Sequence, residues 1–145
     1  MAWLPVVDYV LNEVVIAQAG TKYGPGDSAT AAGSDWVLCK VAEGFNIWYY
    51  MTATGAPTVG LTFQYTIFRP GIGGTHDPDS TARDNFRGVS LGAALSTKGA
   101  WTHIDTPAEI RDYPFIAYRL KATENNVAAV TTFSVVVCRN GSSPV

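Results

Sequence analysis

The chain has 145 residues, 47% of them hydrophobic and only 15% charged, with a formal charge of −2. Such a length suits one domain around one core, and the composition excludes a chain too polar to fold. Ten Lys and Arg residues, scattered along the sequence, form no dense cationic stripe, which argues against nucleic acid as a partner.

The first segment, Met1 to Val15, is apolar but has no basic residue ahead of it, and Asp8 and Glu13 interrupt it. It fits neither a secretory signal nor a spanning helix, so folding in a cytoplasm and no membrane partner are expected. Trp3 to Val10 followed by Gly20 to Ser34, rich in Gly, Ala, Ser and Thr, has two readings. It is either an arm on a Gly-rich link (residues 1–34) that docks on a neighbour, or the first strand of the sheet in a body spanning 35–145. On the arm reading, removal of residues 1–20 leaves a folded body.

Beyond it, strand periodicity prevails. Val10 to Ala17 and Trp36 to Val41 are strand candidates. From Phe45 to Thr52, Phe45, Ile47, Tyr49 and Met51 share one face while Trp48 and Tyr50 share the other. Leu61, Phe63, Tyr65 and Ile67 alternate with Thr62, Gln64 and Thr66 over Leu61 to Phe68. The turn Gly55-Ala56-Pro57-Thr58 between these two strands predicts a hairpin. Gly71 to Gly88 is a long polar loop, after which a Gly-flanked turn leads into Leu91 to Leu95. Trp101 to Asp105 is a short strand, and Pro107 to Arg111 holds one helical turn at most. Phe115 to Thr123 and Val127 to Cys138, joined through Glu124-Asn125-Asn126, predict a second hairpin. About seven to eight antiparallel strands make the expected fold an all-β sandwich or jelly roll.

The motifs that imitate chemistry lack its context. Gly88-Val89-Ser90-Leu91-Gly92 matches a hydrolase elbow, with His103 and Asp105 downstream, yet no helix follows and the order of partners is wrong. His76-Asp77-Pro78-Asp79 with Asp84 resembles a calcium loop but lacks the spacing of one. Gly71-Ile72-Gly73-Gly74 lacks the third glycine of a dinucleotide fingerprint. Cys39 and Cys138 lie in apolar β-branched contexts and read as small buried hydrophobes, a disulfide between them being the alternative. No catalytic, cofactor-binding or metal-ligating residue is therefore assigned, and no cofactor is expected.

The segment order resembles that of small β-sandwich virion proteins of tailed bacteriophages. The likeness rests on Phe45 to Thr54, the Gly-Ala-Pro-Thr turn into Leu61-Thr62-Phe63-Gln64-Tyr65, a variable loop, and Gly99-Ala100-Trp101-Thr102. Above all it rests on Tyr113-Pro114-Phe115-Ile116-Ala117-Tyr118-Arg119-Leu120-Lys121-Ala122 before a Val/Thr-rich closing strand. This resemblance implies a non-enzymatic capsid decoration or cement protein at the capsid surface of a virion. Its implied partner is the major capsid protein, and the protein itself would be a homo-oligomer, commonly a trimer. Interface candidates are Trp3, Leu4, Val6, Val7, Tyr9, Trp48 and Tyr50. The scarcity of charge agrees with a partly covered surface. The competing expectation is a carbohydrate-binding or adhesin module of a phage fibre, with Trp48, Tyr50 or Trp101 stacked on sugar rings and Asp77 or Asp79 holding calcium.

Overall fold

A computed structural model describes residues 3–17, 19–25, 37–40, 46–67, 87–108, 110 and 115–144. These residues form nine strands: β1 Trp3–Ile16, β2 Thr21–Gly24, β3 Val37–Lys40, β4 Asn46–Thr54, β5 Val59–Ile67, β6 Arg87–Leu95, β7 Thr102–Ile104, β8 Phe115–Glu124 and β9 Val130–Pro144. They make two antiparallel sheets, one ordered β1-β9-β4-β7 and the other β2-β8-β5-β6, with β3 also pairing β8. The expected all-β sandwich is the fold. A single 3-10 turn, closed by the Ile110 N–H on Pro107 O at 3.3 Å, stands where one helical turn is predicted.

Period-two alternation explains the core. Ile47, Tyr49 and Met51 of β4 and Phe133, Val135 and Val137 of β9 point inward from the four-stranded sheet. Leu61, Phe63, Tyr65, Tyr118, Leu120 and Ala122 meet them from the other sheet, where the Phe63 and Tyr118 rings stack at 4.9 Å. Each fully buried large side chain contributes about 1.5–3 kcal/mol by leaving water.

Both predicted hairpins are corrected. β4 lies in the four-stranded sheet and β5 in the other, and β8 and β9 are separated in the same way. A Gly-Pro or Asn-Asn sequence reverses the chain, but it does not decide whether the two strands hydrogen-bond or face each other across the core. The two corners lie side by side. Asn126 Nδ2 donates to Ala56 O at 2.6 Å and the Asn125 N–H to Thr58 O at 2.8 Å. Beneath them the fully buried Glu124 carboxylate accepts from the Thr58 and Asn126 N–H groups at 2.8 and 3.0 Å, and from Thr131 Oγ1 at 2.6 Å.

The N-terminal segment is a strand of the body. β1 pairs with β9 from Trp3↔Pro144 to Ile16↔Thr131 and buries Val10, Leu11 and Ile16 in the core. The Gly-rich stretch after it is likewise more than a link, because β2 joins the edge of β8. Gly26 to Trp36 and residues 68–86, with Asp77, Asp79 and Asp84, lie outside the described residues. Gly88 to Gly92 is strand interior within β6, in place of the predicted turn; its irregularity is a register shift against Leu61 and Thr62.

One side of the sandwich is closed by contact between backbones. A Cβ on Gly24 of β2 would collide with Val10 O and stand 2.6 Å from Leu11 Cδ2. Nearby, Tyr118 Oη donates to the Asp8 carboxylate of β1 at 3.3 Å. Gly24→Ala is expected to cost at least about 2–3 kcal/mol, since the obstacle is backbone and cannot change rotamer. Its urea midpoint, compared with that of Gly99→Ala, which meets nothing within 4 Å but has a φ of +77°, separates this collision from the strain of left-handed backbone. Equal losses at the two positions would refute the tight approach.

Candidate interaction face

The two outer faces of the sandwich differ in chemistry. Outside the five-stranded sheet, neighbouring positions are polar: Thr21 beside Thr123, Lys121 beside Thr62, and Arg119 beside Gln64. Thr21 and Thr123 share a hydrogen bond at 2.9 Å, Arg119 Nε donates to Gln64 Oε1 at 2.7 Å, and the guanidinium lies 4.5 Å from the Tyr23 ring centre. These groups satisfy one another within the sheet.

Outside the four-stranded sheet, apolar and aromatic side chains predominate. Register places Tyr9, Val136, Trp48 and His103 in one row across all four strands. Val7, Cys138 and Asn46 form the row on one side of it, and Val15, Thr132 and Thr52 lie farther along in the other direction. Tyr9 is 63% exposed, Val15 54% and Val7 47%. Trp48 leans on His103 with ring centres 5.0 Å apart, and His103 Nε2 is 3.3 Å from Asn46 Oδ1. Isolated exposed hydrophobes are ordinary, but a contiguous set on one rigid sheet marks a contact surface.

Of the interface candidates, Val7, Tyr9 and Trp48 share this face, and the half-buried Tyr50 lies one row on from Trp48. The side chains of Trp3, Leu4 and Val6 lie outside those described. Sequence reasoning missed the exposed Val15 and the buried Val136 between Tyr9 and Trp48, because their place on this face depends on which side of β1 and β9 looks outward. Bulges in β1 between Tyr9 and Leu11 and between Leu11 and Val14 interrupt the alternation by turning Val10 and Leu11 both inward, after which Val15 returns to the face of Val7 and Tyr9. Cys138 is a free thiol on the same face beside Val7, so the disulfide alternative falls; the Cys39 side chain lies outside those described.

The residues of the hydrolase-like motif share no Ser90–His103 hydrogen bond, the contacts of the His103 ring nitrogens going to Asn46 and Asp105. Ser90 is opposite Thr62 on the outer face of the five-stranded sheet, whereas His103 stands on the outer face of the other. His103 does approach Asp105, Nδ1 to Oδ1 at 3.9 Å, as their two-residue spacing predicts. Ser90, His103 and Asp105 nevertheless border one open cleft of about 660 Å³ between the β6 and β7 edges, together with Val89, Leu91, Leu95, Ile104 and Pro107. Among the described residues, no group of three or more His, Cys, Asp or Glu gathers as metal ligands. No protein-family model, curated protein or solved structure gives a significant match to this chain.

Proposed function

We propose that this protein is a non-enzymatic structural component of a virion, a capsid decoration or cement protein that binds the major capsid protein through the outer face of its four-stranded sheet. The observation that carries the reading is the row Tyr9, Val136, Trp48 and His103, set beside Val7 on a sheet whose backbone is fully paired at its centre. Large aromatic side chains on a rigid surface are efficient anchors, since they bury much apolar area and lose little conformational freedom. The polar outer face of the other sheet would remain in water. The low charge fraction and the likeness in segment order to tailed-phage virion proteins support the same reading.

The test is co-sedimentation with empty tailed-phage capsids stripped of their own decoration protein, together with native mass. Wild-type protein is expected to pellet with the capsids and to have three times its 15.5 kDa chain mass in solution. The double substitution Val7→Asp and Trp48→Asp places two charges on the face without touching the core. It is expected to weaken capsid binding at least about tenfold with an unchanged melting curve. A monomer that leaves every capsid bare, or a double variant that pellets like wild type, refutes this function for this face.

A further inference from the structure

Next to the Trp48 row, the same sheet face holds a groove of about 460 Å³ lined by Tyr9, Asn12, Glu13, Tyr50, Trp101 and Ser134, with Thr52 and Thr132. Its composition is amphipathic in a particular way. Tyr50 and Trp101 form a tilted pair with ring centres 5.5 Å apart and planes 40° apart, and Trp101 is 49% exposed. Tyr9 stands on the other side. Between and beside the rings are a carboxylate, an amide and three hydroxyls. None of the lining residues is Lys or Arg.

The local backbone is shaped for this groove. Glu13 has a φ of +49°, which is uncommon for any residue with a side chain, and it sits in the irregular stretch of β1 between Leu11 and Val14. Its N–H donates to Ser134 Oγ of β9 at 2.9 Å, which fixes the bulge across the sheet. The irregularity lets the consecutive Val10 and Leu11 both enter the core while leaving Asn12 and Glu13 exposed at the groove. Backbone strain held at an exposed bulge is characteristic of binding sites.

We propose that this groove binds a neutral pyranose unit of an oligosaccharide. A pyranose has an apolar C–H face and a rim of hydroxyls. The C–H face suits the electron-rich faces of Trp101 and Tyr50, and the hydroxyls suit Glu13, Asn12 and Ser134. An acidic sugar would meet the Glu13 carboxylate with no counter-charge among the lining residues. The inference goes beyond capsid docking, and apart from Tyr9, at the boundary between the two, it rests on different residues.

Isothermal titration and tryptophan emission with cellohexaose, maltohexaose and xylohexaose as neutral probes, and hexagalacturonate as the acidic one, test it. At least one neutral probe is expected to bind with Kd below about 1 mM and to shift the emission. Trp101→Ala is expected to weaken that binding about tenfold or more, and Trp48→Ala to leave it unchanged. The proposal is overturned if no neutral probe binds below that limit, if hexagalacturonate binds best, or if Trp101→Ala binds like wild type. Capsid co-sedimentation of the Trp101→Ala variant keeps the two readings apart, because docking through Val7 and Trp48 predicts no change there.

Discussion

A chain that begins at Thr21 is expected not to fold. The missing β1 would take with it Val10, Leu11 and Ile16, which are 3%, 1% and 0% exposed. It would also bare the edge of β9 and the flank of Phe133, Val135 and Val137. At about 1.5–3 kcal/mol for each buried side chain, before any strand hydrogen bond is counted, the loss is comparable with the entire 5–15 kcal/mol stability of an ordinary domain. The inward-pointing Asp8, which accepts from Tyr118 Oη, would be lost as well. Circular dichroism and urea unfolding decide the matter: the truncated chain should lack a cooperative transition, whereas a native-like transition would restore the reading of this segment as a detachable arm. Assembly is therefore better probed by surface substitutions on β1, such as Val7→Asp, than by its deletion.

The second large effect is expected at Glu124. Its carboxylate is fully buried, yet it accepts from two backbone N–H groups and one hydroxyl at 2.6 to 3.0 Å. Glu124→Leu would leave Thr58 N–H, Asn126 N–H and Thr131 Oγ1 without this acceptor inside the protein, at about 1–3 kcal/mol for each stranded group. Allowing for partial relaxation and entry of water, a net loss of about 3–5 kcal/mol is expected. Glu124→Gln keeps one acceptor oxygen for the two N–H groups and should lose less, about 1–2 kcal/mol. The measurement is the shift in urea midpoint at unchanged slope. Equal midpoints for Leu and wild type would mean that the two corners hold without this carboxylate. Because Thr58 precedes β5 and Asn126 precedes β9, Glu124 ties together the two chain reversals that carry strands from one sheet to the other.

The same residue shows how far the sequence was legible. Glu124 stands in a polar Glu-Asn-Asn turn, and a solvated loop acid is what such a context ordinarily means. Its burial follows from the neighbouring corner at Gly55 to Thr58, 66 residues away in the chain for the Thr58 contact, and no local signal announces that. The groove is similar. Tyr50 and Trp101 were singled out as aromatics, but Glu13 and Ser134 were not, since their hydrogen bond joins positions 121 residues apart across a bulge.

By itself, the sequence determined the extension of β4, β5, β8 and β9, the chain reversals at Gly55 to Thr58 and at Glu124 to Asn126, and for β4 and β5 which side chains face inward. These are local matters, because a pleated strand sends successive side chains to opposite sides and Gly, Pro and Asn permit reversal wherever they occur. Ile47, Tyr49 and Met51 against Trp48 and Tyr50 could be sorted from the alternation alone. Only the tertiary structure decided which strands pair. Both turn-linked neighbours separate into opposite sheets, β1 reaches across the whole chain to β9, and bulges in β1 turn the consecutive Val10 and Leu11 both inward. Strand pairing is settled by burial shared among all the strands at once, so the exposed aromatic face and its groove exist only after β1, β4, β7 and β9 have assembled.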